Sequence, residues 1–172
     1  MAEIRNVASM EVVELRRAKP ADDPSIAAIL DAARHDIPLK DTFLLPNILK
    51  WLSMQLPELD TWVIVSEGQV GAVAVVKGMD IAYLAASADH RRLGFSRKLV
   101  RHVKRLAAVK GWPALTAKAT VANTKVITLL SSEGFTFDSA ATANDPLPEL
   151  HWQHYRWDAG NGRSSGQPKR RI

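Results

Sequence analysis

The chain has no cysteine. That single absence excludes disulfide staples, a thiolate nucleophile and any zinc site built on cysteine. Aromatic residues are scarce at 6% of the chain, and only two of them, Tyr83 and Tyr155, carry a phenol, so tyrosine chemistry has just two candidates. No apolar run approaches the ~20 residues that a membrane-spanning helix needs. Met1 to Met10 lack the basic and apolar regions of a secretory signal. The chain therefore reads as soluble and cytoplasmic. No pair of histidines has zinc-ligand spacing with an accompanying carboxylate, so no metal is expected.

Acidic residues are missing from one stretch in particular. Between Arg91 and Lys110 there are eight lysines and arginines and no aspartate or glutamate, and Lys169, Arg170 and Arg171 add charge near the C-terminus. The formal net charge of +5 points to an anionic partner. Apart from Phe95 this stretch has no interleaved aromatics on which bases could stack, so a phosphorylated small ligand fits better than nucleic acid. At 172 residues, 47% of them hydrophobic, the chain is long enough to bury one substantial core.

Residues 1–10 read as a flexible leader, 11–158 as a single domain and 159–172 as a disordered basic tail. Within the domain, residues 11–17 alternate as a strand. Asp23 is the expected N-cap of a first helix, with Pro24 at its first position. A second helix is expected from about Leu45 to Leu56, ended by Pro57. Three strands follow, 61–66, 70–76 and 81–87, joined by short glycine turns. A strongly amphipathic helix then runs to about Lys110, a strand over 114–119 returns parallel to 81–87, and a helix opening at Asn123 or Thr124 is closed by Gly134. Strands at 135–138 and 150–157 complete the order β-α-α-β-β-β-α-β-α-β-β.

The functional signal lies at Arg91-Arg92-Leu93-Gly94-Phe95-Ser96. A basic, glycine-containing turn between a strand and a helix leaves the first helical N–H groups unpaired at the positive end of the macrodipole, which makes an anion site. Arg91-x-x-Gly94-x-Ser96 resembles the signature of the GNAT superfamily of acyl-CoA N-acyltransferases, with Ser96 standing at the usual small third position. A second match, Asn123, Val126, Leu129 and Gly134-Phe135, is similar to a later motif of that family and lies about 30 residues on, beyond an intervening strand. The resemblance implies an α/β (α+β) fold, a mixed and mostly antiparallel sheet of about six to seven strands flanked by four helices.

The resemblance also implies a function, transfer of an acetyl group from acetyl-CoA to a primary amine by direct attack. The backbone N–H groups of Arg92, Leu93, Gly94, Phe95 and Ser96 would hold the coenzyme pyrophosphate, with Arg91, Arg97 or Lys98 near its phosphates and Asn123 on the other side. The backbone of Leu84, Ala85, Ala86 and Ser87 would polarise the thioester. Asp80 falls where one branch of the family carries a general base, although aspartate also suits the Gly78-Met79-Asp80 turn for geometric reasons. The position of the family's proton-donating tyrosine is Leu130, which has no proton to give. Ser131 beside it points ~100° away and is a poor acid. Tyr83 or Tyr155 could substitute, or the thiolate could leave without a protein acid.

His35, Asp36, Asp41 and His151 fall in regions that border the acceptor side in relatives, as does His154. With Asp145 and Glu149, the acidic members hint at a cationic acceptor such as a protein lysine or a polyamine. Relatives often pair through their C-terminal strands, so Trp152 and Trp157 suit a homodimer interface. His90 and His102 read as solvent-exposed. A catalytically silent acyl-CoA-binding module and a nucleic-acid-associated protein are the alternative functions.

Overall fold

A computed structural model of the chain describes residues 12–33, 60–140 and 152–162. Among these residues seven strands form one sheet in the order β1-β2-β3-β4-β5-β7-β6. The strands are β1 (Val13–Arg17), β2 (Asp60–Ser66), β3 (Gln69–Lys77), β4 (Asp80–Ala86), β5 (Ala114–Thr120), β6 (Thr136–Ala140) and β7 (Trp152–Asp158). Three α-helices accompany them, α1 (Asp23–Ala33), α2 (Phe95–Lys110) and α3 (Thr124–Ser132). The expected mixed α/β architecture holds, as does the order of the elements that fall within the described residues. The helix expected over 45–56 lies outside the described residues.

The first four strands pair antiparallel in chain order, and β2 to β4 form a meander joined by two-residue turns. Ser66 faces Gln69 across the two-residue turn Glu67-Gly68, and both turn residues have positive φ (51° and 76°), the conformation that matches strand twist. Lys77 faces Asp80 across Gly78-Met79. Asp80 is therefore the first residue of β4 rather than part of the turn itself.

The single parallel contact in the sheet joins β4 to β5, and it is short: Asp80 pairs with Thr116 and Ile81 with Ala117. Beyond it, the register of β4 against β3 slips by one between Val75↔Tyr83 and Val76↔Ile81, leaving Ala82 as an extra residue on β4. A bulge of this kind bends a strand and increases its twist. From Tyr83 to Ala86, β4 keeps β3 and has no register with β5. The last strand, β7, lies between β5 and β6, antiparallel to both.

The two sheet faces are covered by different helices. Ile26, Ala27 and Ile29 of α1 pack on Val63, Val73, Val75 and Ala85. On the opposite face α2 lays Phe95 and Leu99 on Ile64, Ala72 and Ala74. Further along, Val100, Val103 and Ala107 of α2 share a cluster with Leu115, Leu130, Phe135 and Tyr155. All five α2 side chains fall on one stripe of the helix, which leaves its many cations on the others.

Three local expectations change. Asp23 is the first residue of α1 and does not cap it. Asp22, in a preceding 3-10 turn (Pro20–Asp22), accepts the Lys19 N–H at 2.7 Å and both terminal nitrogens of Arg16 at 2.7 and 3.1 Å. Those bonds explain the low position of the Asp22 carboxyl, against the pull of burial. The tail expected from residue 159 starts as a 3-10 turn (Ala159–Gly162), with the Ala159 N–H bound to the Pro113 carbonyl at 3.0 Å. Finally, His102 is not exposed. Its ring packs on Trp62 with centroids 4.2 Å apart, and burial and then the charge of Arg105 push its pKa down. No described helix is long and apolar enough to cross a membrane.

Candidate functional site

Where β4 leaves β5, a pocket opens. It is lined by β4 (Leu84, Ala85, Ala86), by the turn into α2 (His90 to Arg92, Gly94 to Arg97), and by the start of α3 (Ala122 to Val126, Leu129), with Ala33 at its edge. The strand contributes backbone. The Ser87 N–H donates to the Gly71 carbonyl at 2.8 Å. In an antiparallel ladder such bonds alternate along the strand, so the N–H and C=O groups of Leu84 and Ala86 point away from β3, toward the side that β5 has vacated. Unpaired backbone of this sort can receive an extended ligand as an added strand.

The turn contributes donors and charge. Gly94 precedes α2 with φ 73°, and a Cβ there would meet nothing within 4 Å, so the open space above the helix N-terminus remains free for a ligand. Arg92 holds φ 70°, an unfavourable left-handed geometry for a residue with a side chain. α3 also opens onto the pocket, its N-terminus capped by the Asn123 side chain, which accepts the Val126 N–H at 3.4 Å. Two helix N-termini and the cations Arg91, Arg92, Arg97 and Lys125 thus face one space, and among the described residues no aspartate or glutamate lines it. The arrangement is built for several negative charges.

His90 shapes this wall. Its Nδ1 lies 2.6 Å from the Ser87 hydroxyl, and its ring stacks on Phe95 at 5.7 Å between centroids. Both rings crowd Gly71, where a Cβ would come within 2.9 Å of each. His90 is consequently half-buried, not exposed.

The expected coenzyme residues divide accordingly. Leu84, Ala85, Ala86, Arg91, Arg92, Gly94, Phe95, Ser96, Arg97 and Asn123 line the pocket. Ser87, Leu93 and Lys98 do not. Ser87 is spent on His90, Leu93 points outward at 49% exposure, and Lys98 lies over the Phe95 ring at 5.6 Å. Arg97 is additionally tied to Glu133, with Nη1 donating to Oε1 at 2.8 Å. Ala33, His90, Ala122, Thr124, Lys125, Val126 and Leu129 were not expected in the lining. Val126 and Leu129 belong to the Asn123 motif but were not assigned to the ligand, and Lys125 also carried a readable signal, a cation in the first turn of the helix that the motif opens.

The expected catalytic residues lie apart from this lining. Asp80 sits at the apex of the opening, beside the last β4–β5 pairs, on the order of 13 Å along the strand from Leu84. Ile81 packs under α2, so Asp80 projects to the α1 face, and its Oδ1 accepts the Thr116 hydroxyl at 2.7 Å. Tyr83 packs against the α1 cluster, where burial pushes its phenol up. Ser131 is exposed on α3 and outside the lining, while Leu130 is buried in the core at 1% exposure. Tyr155 donates its hydroxyl to the Gln153 side chain at 2.7 Å and does not reach the pocket. His35, Asp36, Asp41 and His151 lie outside the described residues, as do Asp145 and Glu149. Among the described residues no group of three or more histidines, aspartates or glutamates is placed to hold a metal.

No family model and no curated protein matches the sequence. Solved structures do match. A ribosomal-protein-alanine N-acetyltransferase from Brucella melitensis is similar over 84% of this chain and 99% of its own, at TM-score 0.70 and 20% identity. A putative GNAT-family acetyltransferase from Desulfovibrio desulfuricans covers 86% of this chain and 99% of its own, at TM-score 0.70 and 13% identity. The fold is the GNAT fold. A putative acetyltransferase from Salmonella typhimurium, determined with its cofactor acetyl-CoA, shares this GNAT fold at TM-score 0.67 and 19% identity, over 86% of this chain and 94% of its own. The resemblance drawn from Arg91, Gly94 and Asn123 is thus borne out at the level of the fold.

Proposed function

We propose that the protein is an N-acetyltransferase that takes the acetyl group from acetyl-CoA and gives it to a primary amine, on a protein lysine, an N-terminus or a small molecule. The observation that carries this reading is the opening of β4 from β5 at Ala82, with strand backbone turned from β3 leading into a pocket whose described lining is cationic and has no carboxylate. A pantetheine arm is an extended chain with amides, and it suits the Leu84–Ala86 edge. A pyrophosphate suits the Gly94 turn and the N-terminus of α2.

Each chemical need then has a place in the chain. The N–H of Leu84 or Ala86 donates to the thioester carbonyl oxygen as it gains charge, a preorganised backbone donor. Asp80, about 13 Å along the strand from Leu84, takes up the proton of the attacking amine only through bridging water, its carboxylate steadied by Thr116. No tyrosine hydroxyl lines the described pocket, so the thiolate leaves to solvent, where its proton is recovered. The acyl carbon exchanges its bond to sulfur for one to nitrogen, and the reaction needs no redox partner.

A silent acyl-CoA-binding module is the second reading, favoured by Leu130 at the position of the family's acid. Isothermal titration with coenzyme A, followed by thiol release from acetyl-CoA over a panel of amines, separates the two. Micromolar binding with thiol release supports the enzyme. Binding without release supports the silent module, and absence of binding overturns both.

A further inference from the structure

Among the described residues Glu133 is the carboxylate buried between α2 and α3, exposed to 6%. It ends α3, and its backbone N–H closes that helix on Leu129 and Leu130. Three cations spaced i, i+4 and i+7 on one side of α2 converge on it. Arg97 donates to Oε1 at 2.8 Å, the Arg101 Nε–H is shared between both oxygens at 3.1 Å, and Lys104 donates to the backbone carbonyl at 2.7 Å with 3.9 Å to Oε2. Without the carboxylate, three like charges would stand one turn apart and repel.

Arg97 belongs to two systems at once. It contacts Glu133 through one nitrogen, it lines the pocket, and its side chain is 41% exposed. The rest of its fork is open for an anion. The same glutamate thereby fastens the helix that begins at the Gly94 turn to the end of the helix that begins at Asn123, and both beginnings face the pocket.

We propose that Glu133 is a positioning residue for the phosphate side of the pocket. It holds the Arg97 guanidinium in one place at the rim and brackets the two helix N-termini, so that affinity for the phosphorylated donor depends on it while turnover does not. This rests on the reading of the pocket as a coenzyme A site. Charge-assisted hydrogen bonds with fixed geometry are the strong ones, and an arginine left without its anchor must lose more freedom on binding.

The test is a double-mutant cycle read by titration with coenzyme A on the full chain, using Glu133→Gln, Arg97→Gln and the pair. Glu133→Gln is expected to weaken binding about tenfold, Arg97→Gln by a similar factor, and the pair no more than about twofold beyond Arg97→Gln alone. The KM for acetyl-CoA should rise with kcat kept within about threefold, and Glu133→Asp should recover part of the affinity. Unchanged binding in Glu133→Gln would overturn the proposal. So would an equal loss in the Arg97→Gln background, which would mark a purely structural role. If Glu133→Gln fails to fold, the same cycle is run with Glu133→Asp and decided by the same coupling. Failure of the unsubstituted protein to bind coenzyme A would overturn the coenzyme reading as well; binding and turnover with no coupling would overturn only the role of Glu133.

Discussion

The two ends of β4 behave as opposites. At Asp80 and Ile81 the strand is held on both sides, by Lys77 and Val76 of β3 and by Thr116 and Ala117 of β5. The Thr116 N–H adds a bond to the Met79 carbonyl at 2.9 Å. Five residues on, the strand keeps β3 alone and presents backbone to a cationic pocket. One extra residue, Ala82, separates the two regimes. The lesson is that an opening can be made by ending a ladder: no unusual side chain is needed at the point where the strands part, only a bulge, and the side-chain chemistry can be placed at either end.

In the proposed mechanism proton chemistry lies at the closed end and binding at the open end, and the largest expected effect follows from that division. Asp80→Asn should lower kcat by roughly 100-fold or more with coenzyme A affinity unchanged within about twofold. Steady-state kinetics beside titration checks this; retained turnover would reduce Asp80 to a clasp on Thr116. At the open end, Gly71→Val should push a Cβ into His90 and Phe95, which stand 2.9 Å from that position. A loss of about 2 kcal/mol in stability is expected, with weakened coenzyme A binding, read by chemical denaturation and titration.

A smaller effect of opposite sign is expected at Arg92. Arg92→Gly should relieve the left-handed strain at φ 70° and stabilise the protein by about 0.5–1 kcal/mol, while affinity for coenzyme A falls because a pocket cation is gone. Strain kept at the cost of stability would mark Arg92 as part of the site, whereas equal affinity would make it an ordinary turn residue.

The smallest effect lies outside the pocket. Burial, and then Arg105, lower the His102 pKa, so the unfolded chain binds a proton more readily than the folded one. The contribution of neutral His102 is therefore complete above its ordinary value near 6.5 and is lost as pH falls below that value toward the lowered one. His102→Phe should flatten the melting temperature between pH 7 and pH 5. Glu133 follows the same rule in the carboxylate range. Burial alone would raise it, but the bonds from Arg101 and Arg97 prevail and hold it low, so its contribution is present above its ordinary value near 4.5 and lost on acidification through the lowered one.

Much of this was written locally in the chain. The stripe of Leu99, Val103 and Ala107 identifies α2, and glycine turns at Gly68 and Gly78 fix the meander, because periodicity and turn geometry act over a few residues. The Arg91–Ser96 turn was legible for the same reason. What was hidden depends on partners far away in sequence. Nothing local marks Glu133, next to a closing glycine, because the Arg97 and Arg101 brought against it stand more than 30 residues earlier. His90 stands in a short 3-10 turn (Ala88–His90) with no periodicity, and only the missing Cβ of Gly71 makes room for it. The bulge at Ala82 is silent because Ala82, Ala85 and Ala86 give no alternation to break.

The central claim is that the parting of β4 from β5 is where the donor binds, and residue-resolved amide hydrogen exchange with and without coenzyme A tests it most directly. The Thr116 amide at the closed end should exchange slowly in both states. The Leu84 and Ala86 amides should exchange rapidly in the free protein and become protected when coenzyme A is added. Exchange at Leu84 and Ala86 that is unchanged by saturating coenzyme A would contradict the account.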